Sequence, residues 1–249
     1  MNLYLGAVRA AAAAALLIAF SPPARCGPPF FTDDPEPVEF GHWEFYLASQ
    51  YLRSDQGRSG TAPHAEINCG AAPGLQLHLL APVAFAHPAG GPLARGYGDT
   101  ELGAKYRFLH ETARRPQAGV FALAELPTGD ADRGLGGGKT RVFLPVWLQK
   151  SWGPWTSYGG AGYWLNPGAG NRNWGYAGWL LQRDLSTRLT LGGELFHRTP
   201  DTAGGRGATG FSAGGQVNFT AARHLLFSAG RDFSGPDKFT AYLGLQWTP

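Results

Sequence analysis

The chain has 249 residues, room for one large domain or two small ones, with 16% charged residues and a formal net charge of +3. Charge this sparse, against about 25% in ordinary soluble domains, together with 37 Gly and 13% aromatic residues, suits a sheet protein whose outer surface meets lipid, though also a soluble β-sandwich. The Lys and Arg residues are scattered along the chain rather than gathered on one face, which argues against a nucleic-acid partner.

Residues 1–26 read as a signal peptide. Arg9 supplies a positive start, and Ala10 to Phe20 form an apolar run that is too short to span a bilayer as a helix. Ser21-Pro22-Pro23 breaks that run, and Ala24 and Cys26 are the small residues that precede a cleavage before Gly27. Arg25 sits where a lipoprotein signal wants a small residue, so lipidation of Cys26 fits poorly. Cleavage removes Arg9 and Arg25 and no acid, which takes the formal charge from +3 to +1. It also leaves Cys69 without a cysteine partner for a disulfide. Residues 27–41 follow, with Pro28, Pro29, Pro35 and Pro37 among Asp33, Asp34, Glu36 and Glu39. Proline at that density cannot join a strand ladder. This segment reads as an acidic arm, either periplasmic or tucked into a barrel.

From residue 42 to 249 one pattern recurs. Candidate strands fall at 42–52, 61–70, 75–86, 98–109, 117–126, 139–151, 155–165, 173–184, 189–198, 207–219, 224–231 and 238–247. In the last, Phe239, Ala241, Leu243, Leu245 and Trp247 alternate with Lys238, Thr240, Tyr242, Gly244 and Gln246. Successive side chains of a strand point to opposite faces, so this writes one apolar and one wet face. No apolar run after the leader is long enough for a spanning helix, and a chain without one crosses a membrane only as a closed barrel.

The connections separate by parity. Those at 71–74, 151–154, 184–188 and 220–223 are tight, while those at 53–60, 87–97, 127–138, 166–172 and 199–206 are longer and Gly-rich. Short turns on one side and long loops on the other mark outer-membrane barrels, with the short ones periplasmic. His110 to Pro116 is long for its place in that scheme. The expected fold is all-β: a single antiparallel up-and-down transmembrane β-barrel of about twelve strands.

Two stretches carry a resemblance. Gly96-Tyr97-Gly98-Asp99 through Gly103-Ala104-Lys105-Tyr106-Arg107-Phe108 resembles a strand motif of the "MetA-pathway of phenol degradation" family of outer-membrane transporters. Glu125-Leu126-Pro127-Thr128-Gly129-Asp130, with Gly134-Leu135-Gly136, is similar to the strand and loop that follow it there. The resemblance implies an outer-membrane barrel that passes small hydrophobic or aromatic compounds, and it transfers no binding residues.

With the apolar face turned to lipid, Leu102, Ala104, Tyr106 and Phe108 face out and Glu101, Lys105 and Arg107 face the lumen. The same parity puts Glu125, Arg141 and Gln149 inside, with Glu125 opposite Arg141 if the hairpin folds about Arg133. Glu44, Gln50, Glu194, Arg198, Gln216 and Asn218 are inward by the same rule. These are the lumen-lining candidates. They either form a charged constriction that selects solutes or pair with one another and fill a narrow barrel. Trp43, Tyr51, Tyr106, Phe108, Trp174 and Trp247 read as interface girdles.

Catalytic patterns are weak. Gly210-Phe211-Ser212-Ala213-Gly214 matches G-x-S-x-G, yet Ser212 lies inside a strand pattern with no helix after it. Gly134 to Thr140 is one residue short of a phosphate loop and runs into a strand. His87 and Asp99 are the pair that a rim active site would use, and the seven histidines lack metal-ligand spacing. No cofactor, metal or catalytic residue is expected. The expectation is a non-enzymatic outer-membrane channel for small solutes, inserted with the barrel-assembly machinery and surrounded by lipid. A barrel-seated enzyme and a plugged structural barrel remain the alternatives.

Overall fold

The computed structural model describes residues 29–249, so the predicted signal peptide lies outside the described residues. Thirteen strands follow: β1 (Trp43–Ser54), β2 (Gly57–Ala72), β3 (Leu75–Pro88), β4 (Ala94–Tyr97), β5 (Thr100–Leu109), β6 (Gln117–Leu126), β7 (Arg141–Trp152), β8 (Trp155–Leu165), β9 (Trp174–Ser186), β10 (Leu189–Arg198), β11 (Ala208–Thr220), β12 (Arg223–Ser234) and β13 (Asp237–Trp247). β4 is a short addition paired with the far end of β3. The other strands form a closed twelve-stranded antiparallel barrel in which each pairs with its neighbour in sequence. Closure is made by β1 on β13, in a register that runs from Phe45↔Trp247 to Arg53↔Phe239. A closed sheet leaves no ladder group unpaired at an edge, which is what a strand protein needs in hydrocarbon.

The tight turns form where the chain offers left-handed glycine, as at Gly74 (φ 75°) and Gly153 (φ 57°). One connection departs from the sequence reading. Between β1 and β2, residues 53–60 are not a long loop: the strands run on to Ser54 and Gly57 and turn at Asp55-Gln56. The glycines there extend the ladder instead of leaving it. The long connection His110 to Pro116 is closed by a bridge between Thr112 and Arg115, and Glu111 accepts from Lys150 Nζ at 2.6 Å.

Alternation decides which side meets lipid. Leu47, Leu77, Leu102, Leu144, Leu195 and Leu243 are exposed on the outer wall, while their neighbours in sequence turn inward. Trp43, Tyr106, Phe108 and Trp247 are exposed at the barrel end that carries the start of β1 and the end of β13. Phe45 and Trp247 lie 5.5 Å apart there. Tyr51 packs on Phe85 and Phe239 toward the other end. Trp174 does not belong to a girdle. It is 5% exposed and stacks on Trp164 at 5.6 Å inside the wall, because it shares the inward parity of Tyr176 on β9.

The interior is divided. Under β6 to β10, Phe121, Leu123, Phe143, Trp147, Trp164, Tyr176 and Phe196 pack as an aromatic core, joined by Phe31 from the arm. Gly103 makes room for it, since a Cβ there would lie 2.5 Å from Leu123 and 2.8 Å from Phe121. The opposite half, under β1 to β3, β5 and β13, is lined by polar groups around open space.

Candidate functional site

The arm determines what space the barrel holds, because residues 29–40 run inside it. Ser228 on β12 donates to Pro29 O. Phe30 packs between Tyr158 and Leu180. Glu194 on β10 accepts the backbone N–H groups of Phe31 at 2.9 Å and Thr32 at 2.8 Å, and Ser212 donates to the same carboxylate at 2.7 Å. The Asp33 carboxylate meets Lys105 Nζ of β5 at 3.0 Å. Its burial, against the pull of Lys105 and with a push from Asp34, raises the Asp33 pKa to about 6. Farther on, Gln149 and Gln117 donate to Glu36 at 3.1 and 3.3 Å, and Val38 N–H donates to Gln76 Oε1 at 2.9 Å. Gly41 N–H then bonds Gly70 O at 2.9 Å and the chain enters β1. Proline keeps this segment out of the ladder, so Pro29 O and the N–H groups of Phe31, Thr32 and Val38 are met by side chains projecting from the wall, and those of Asp34 and Glu36 by Asp33 and Asp34 of the arm itself.

The lumen candidates take distinct places around this arm. Glu194, Lys105 and Gln149 hold it as described, and Arg107 binds Gln117 Oε1 at 3.1 Å and approaches Glu36 at 3.6 Å. Glu125 and Arg141 face each other across β6 and β7 in register and form an ion pair. Arg198 binds Asp237, and Asp232 at 3.3 Å, near the far rim. Gln216 donates to Asn218 at 2.6 Å, and both contact His224. Glu44 accepts from the Tyr46 hydroxyl at 2.6 Å, and Gln50 lines open space. Glu101 lies 2.9 Å from His78 Nε2, whose Nδ1 is 2.7 Å from Asn68 Oδ1 and 3.5 Å from Glu66.

Parity on β2 and β3 also places Glu66, Asn68, Gln76 and His78 inside, a set that the candidate residues omit although H-A-E-I-N alternates plainly from His64. They line a cavity of about 580 Å³, together with the arm, Glu44, Gln50, Glu101 and Lys105. It reaches the end of the barrel where Pro37, His42 and Thr248 lie. A second, smaller space of about 90 Å³ lies beyond it, and Gln50, Leu80 and Glu101 border both. The far wall of that space is Leu135 and Gly136, from the loop between β6 and β7.

That loop explains the two resembling stretches as one joint. Asp99 accepts N–H groups from Gly129 at 2.9 Å and from Gly137 at 2.6 Å. Thr128 donates to Gly98 O at 2.9 Å and accepts from Thr100 N–H at 2.8 Å. Leu135 is thereby set down on Ala84 and Ala86 inside the wall. The pair that a rim active site would use is not brought together: His87 accepts from Arg58 Nε, and Asp99 is used by the loop. Ser212 lies within β11 and gives its hydroxyl to Glu194.

No family model matches the chain, and no curated protein matches it. Solved structures do. The chain is similar to the COG4313 outer membrane channel from Pseudomonas putida F1, with a TM-score of 0.70 at 19% identity over 87% of this chain and 98% of that one. It is also similar to the NanC porin (TM-score 0.57, 8% identity, 82% and 98% covered). The KdgM porin in complex with disordered oligogalacturonate matches at TM-score 0.57 and 11% identity, covering 81% and 98%. At these identities the likeness is one of fold.

Proposed function

We propose that the protein is an outer-membrane channel for small solutes, with the 29–40 arm as its internal restriction. The observation that carries this is the pair of cavities bordered in common by Gln50, Leu80 and Glu101, which line up between the arm's end of the barrel and the β6–β7 loop. A barrel built only to be filled would have no need of such a space, and half of this one is filled with aromatics already. The apolar outer wall and the likeness to the outer membrane channel and porins support the location and the class. Hydrophobic or aromatic cargo is supported by the resemblance of Gly96–Phe108 and Glu125–Gly136 to the phenol-degradation family.

Conductance of the refolded protein in a planar bilayer is the test. The channel reading expects brief, small openings from the full barrel and larger, longer ones once residues 30–38 are deleted. Silence from both proteins, with heat-modifiable gel migration showing both folded, would leave a plugged structural barrel. That second reading draws on the arm's many wall contacts and the Glu125–Arg141 pair.

A further inference from the structure

We infer that one arc of the outer wall, at the barrel end that carries the β6–β7 loop, is a binding site for lipid A, the phosphorylated glycolipid of the outer leaflet. Arg53, Arg58, Arg95 and Arg231 would hold its phosphates. The inference rests on the outer-membrane setting of the barrel and not on its conductance, since these residues lie outside the lumen.

Ladder register puts the four on the lipid side of neighbouring strands. Arg53 on β1 pairs with Phe239 of β13 and with Arg58 of β2. Arg58 pairs with His87 of β3, and Phe85 of β3 pairs with Arg95 of β4. Arg231 on β12 lies one position beyond the Gly230↔Thr240 pair, on the side of Phe239. Phe239 and Val83 mark this parity as the outer face, and all four arginines are exposed. At about 4.8 Å between strands, the row from β12 to β3 is about 19 Å wide, room for a disaccharide with a phosphate at each end. On β5 to β10 the outward residues at this end include Thr100, Val142, Leu165 and His197, with no arginine or lysine.

These cations have no acid to answer them. Among the described residues none of the four arginines forms an ion pair. Arg58 Nε donates to His87 Nδ1 at 2.9 Å, one base to another. Asp55, in the β1–β2 turn, is taken by Lys238 at 3.0 Å. Arg53 and Arg58 stand directly opposite each other, and like charges opposed in a ladder destabilise it. A phosphate between the two guanidinium groups removes that repulsion, because its oxygens accept paired N–H donors from each.

What lies below the cations fits the rest of a glycolipid. Tyr51 packs on Phe85 at 6.3 Å and on Phe239 at 6.2 Å. Val83 and Leu79 on β3 and Leu243 on β13 follow as exposed aliphatic residues farther along the wall. Cation, ring and aliphatic side chain succeed one another as phosphate, sugar and acyl chain do in the lipid. Short turns face the periplasm, so this end, opposite the turns at Gly74 and Gly153, meets the outer leaflet.

Native mass spectrometry of the refolded full barrel, released from nonionic micelles, tests the site, with lipid A, dephosphorylated lipid A, phosphatidylglycerol and inorganic phosphate as probes. Lipid A is expected to bind at least tenfold more tightly than its dephosphorylated form or phosphatidylglycerol, and inorganic phosphate not to displace it. Arg53→Gln combined with Arg58→Gln is expected to weaken lipid A about thirtyfold, at roughly fivefold for each arginine at a membrane surface. Arg188→Gln combined with Arg223→Gln, which removes two exposed arginines at the opposite end, is expected to change nothing. Without lipid A, Arg53→Gln alone removes a repulsion, so the midpoint of denaturant unfolding should hold or rise. Equal affinity for the dephosphorylated lipid or for phosphatidylglycerol, displacement by inorganic phosphate, equal effects of the two double variants, or a lower unfolding midpoint for Arg53→Gln overturns the inference. Conductance decides the channel reading separately: lipid A bound to a barrel that stays electrically silent would remove the channel and keep the site.

Discussion

Glu194 and Thr32, separated by 162 positions in sequence, meet inside the barrel, where the carboxylate of one accepts the backbone N–H of the other at 2.8 Å. The same carboxylate holds Phe31 N–H at 2.9 Å, so one wall residue fixes a stretch of arm that has no ladder of its own. Glu194→Ala removes both acceptors. The docked arm should lose about 3 kcal/mol, two charge-assisted hydrogen bonds at the lower end of their range. The expected readout is arm-dependent openings in the bilayer that become more than tenfold more frequent. An unchanged opening rate would show that the arm is held elsewhere.

Asp33 gives the arm a pH dependence of definite sign. Its carboxyl is raised to about 6 by burial, with Lys105 pulling the other way, so the docked arm binds the proton more tightly than a released one. Stability of docking contributed by this group is full below the released value near 3.8 and declines as pH rises through about 6. Acidification from about pH 7.5 to 5 should therefore make openings rarer, and Asp33→Asn should flatten that dependence. More frequent openings at pH 5 would contradict the assignment to Asp33.

The joint at Asp99 should behave as a latch for the loop between β6 and β7. Asp99→Asn keeps the shape but replaces one acceptor oxygen by an NH₂ group facing an N–H donor. Hydrogen exchange at Gly129 and Gly137 should speed up by at least about tenfold, the cost of one lost charged bond. Exchange in the β7–β8 hairpin should not change. Uniform acceleration across the barrel would instead mean global destabilisation.

Trp147 is fully buried in the aromatic half, in contact with Phe143 and Tyr176. Trp147→Ala should cost about 3–5 kcal/mol of stability, as large-to-small changes in packed cores do. The check is denaturant unfolding in micelles. A loss under about 1 kcal/mol would mean that this half is loosely filled.

The fold was legible because a strand in lipid obeys one rule along its length. Leu102, Tyr106, Leu144 and Val146 fall outside and Glu101, Lys105, Arg141 and Gln149 inside by parity alone. The rule weakens where both faces are apolar. Phe121, Leu123, Phe143 and Trp147 face inward in strands whose outer residues are equally apolar, and periodicity does not separate a greasy lumen from lipid. Trp174 reads as an interface residue for the same reason. The division of the interior was not legible, since it depends on the arm. Four prolines show that residues 27–41 leave the ladder, but which wall residues receive them is fixed by contacts such as Asp33–Lys105, across 72 positions. His87 and Asp99 both sit near the rim, yet His87 is met by Arg58 across the β2–β3 ladder, and Asp99 by a loop whose path the sequence does not state.

The seam between β1 and β13 carries a consequence for the order of events in folding. β1 follows the arm directly, and the arm's contacts reach β12, β10, β7, β6, β5 and β3. Once Phe45 has zipped to Trp247, a ring of paired backbone surrounds that segment, and threading it in afterwards means passing it through an end of the barrel. An arm already laid against the open sheet is sealed in when the first strand joins the last, whereas one still outside must then enter, as a released arm must return, through a barrel end.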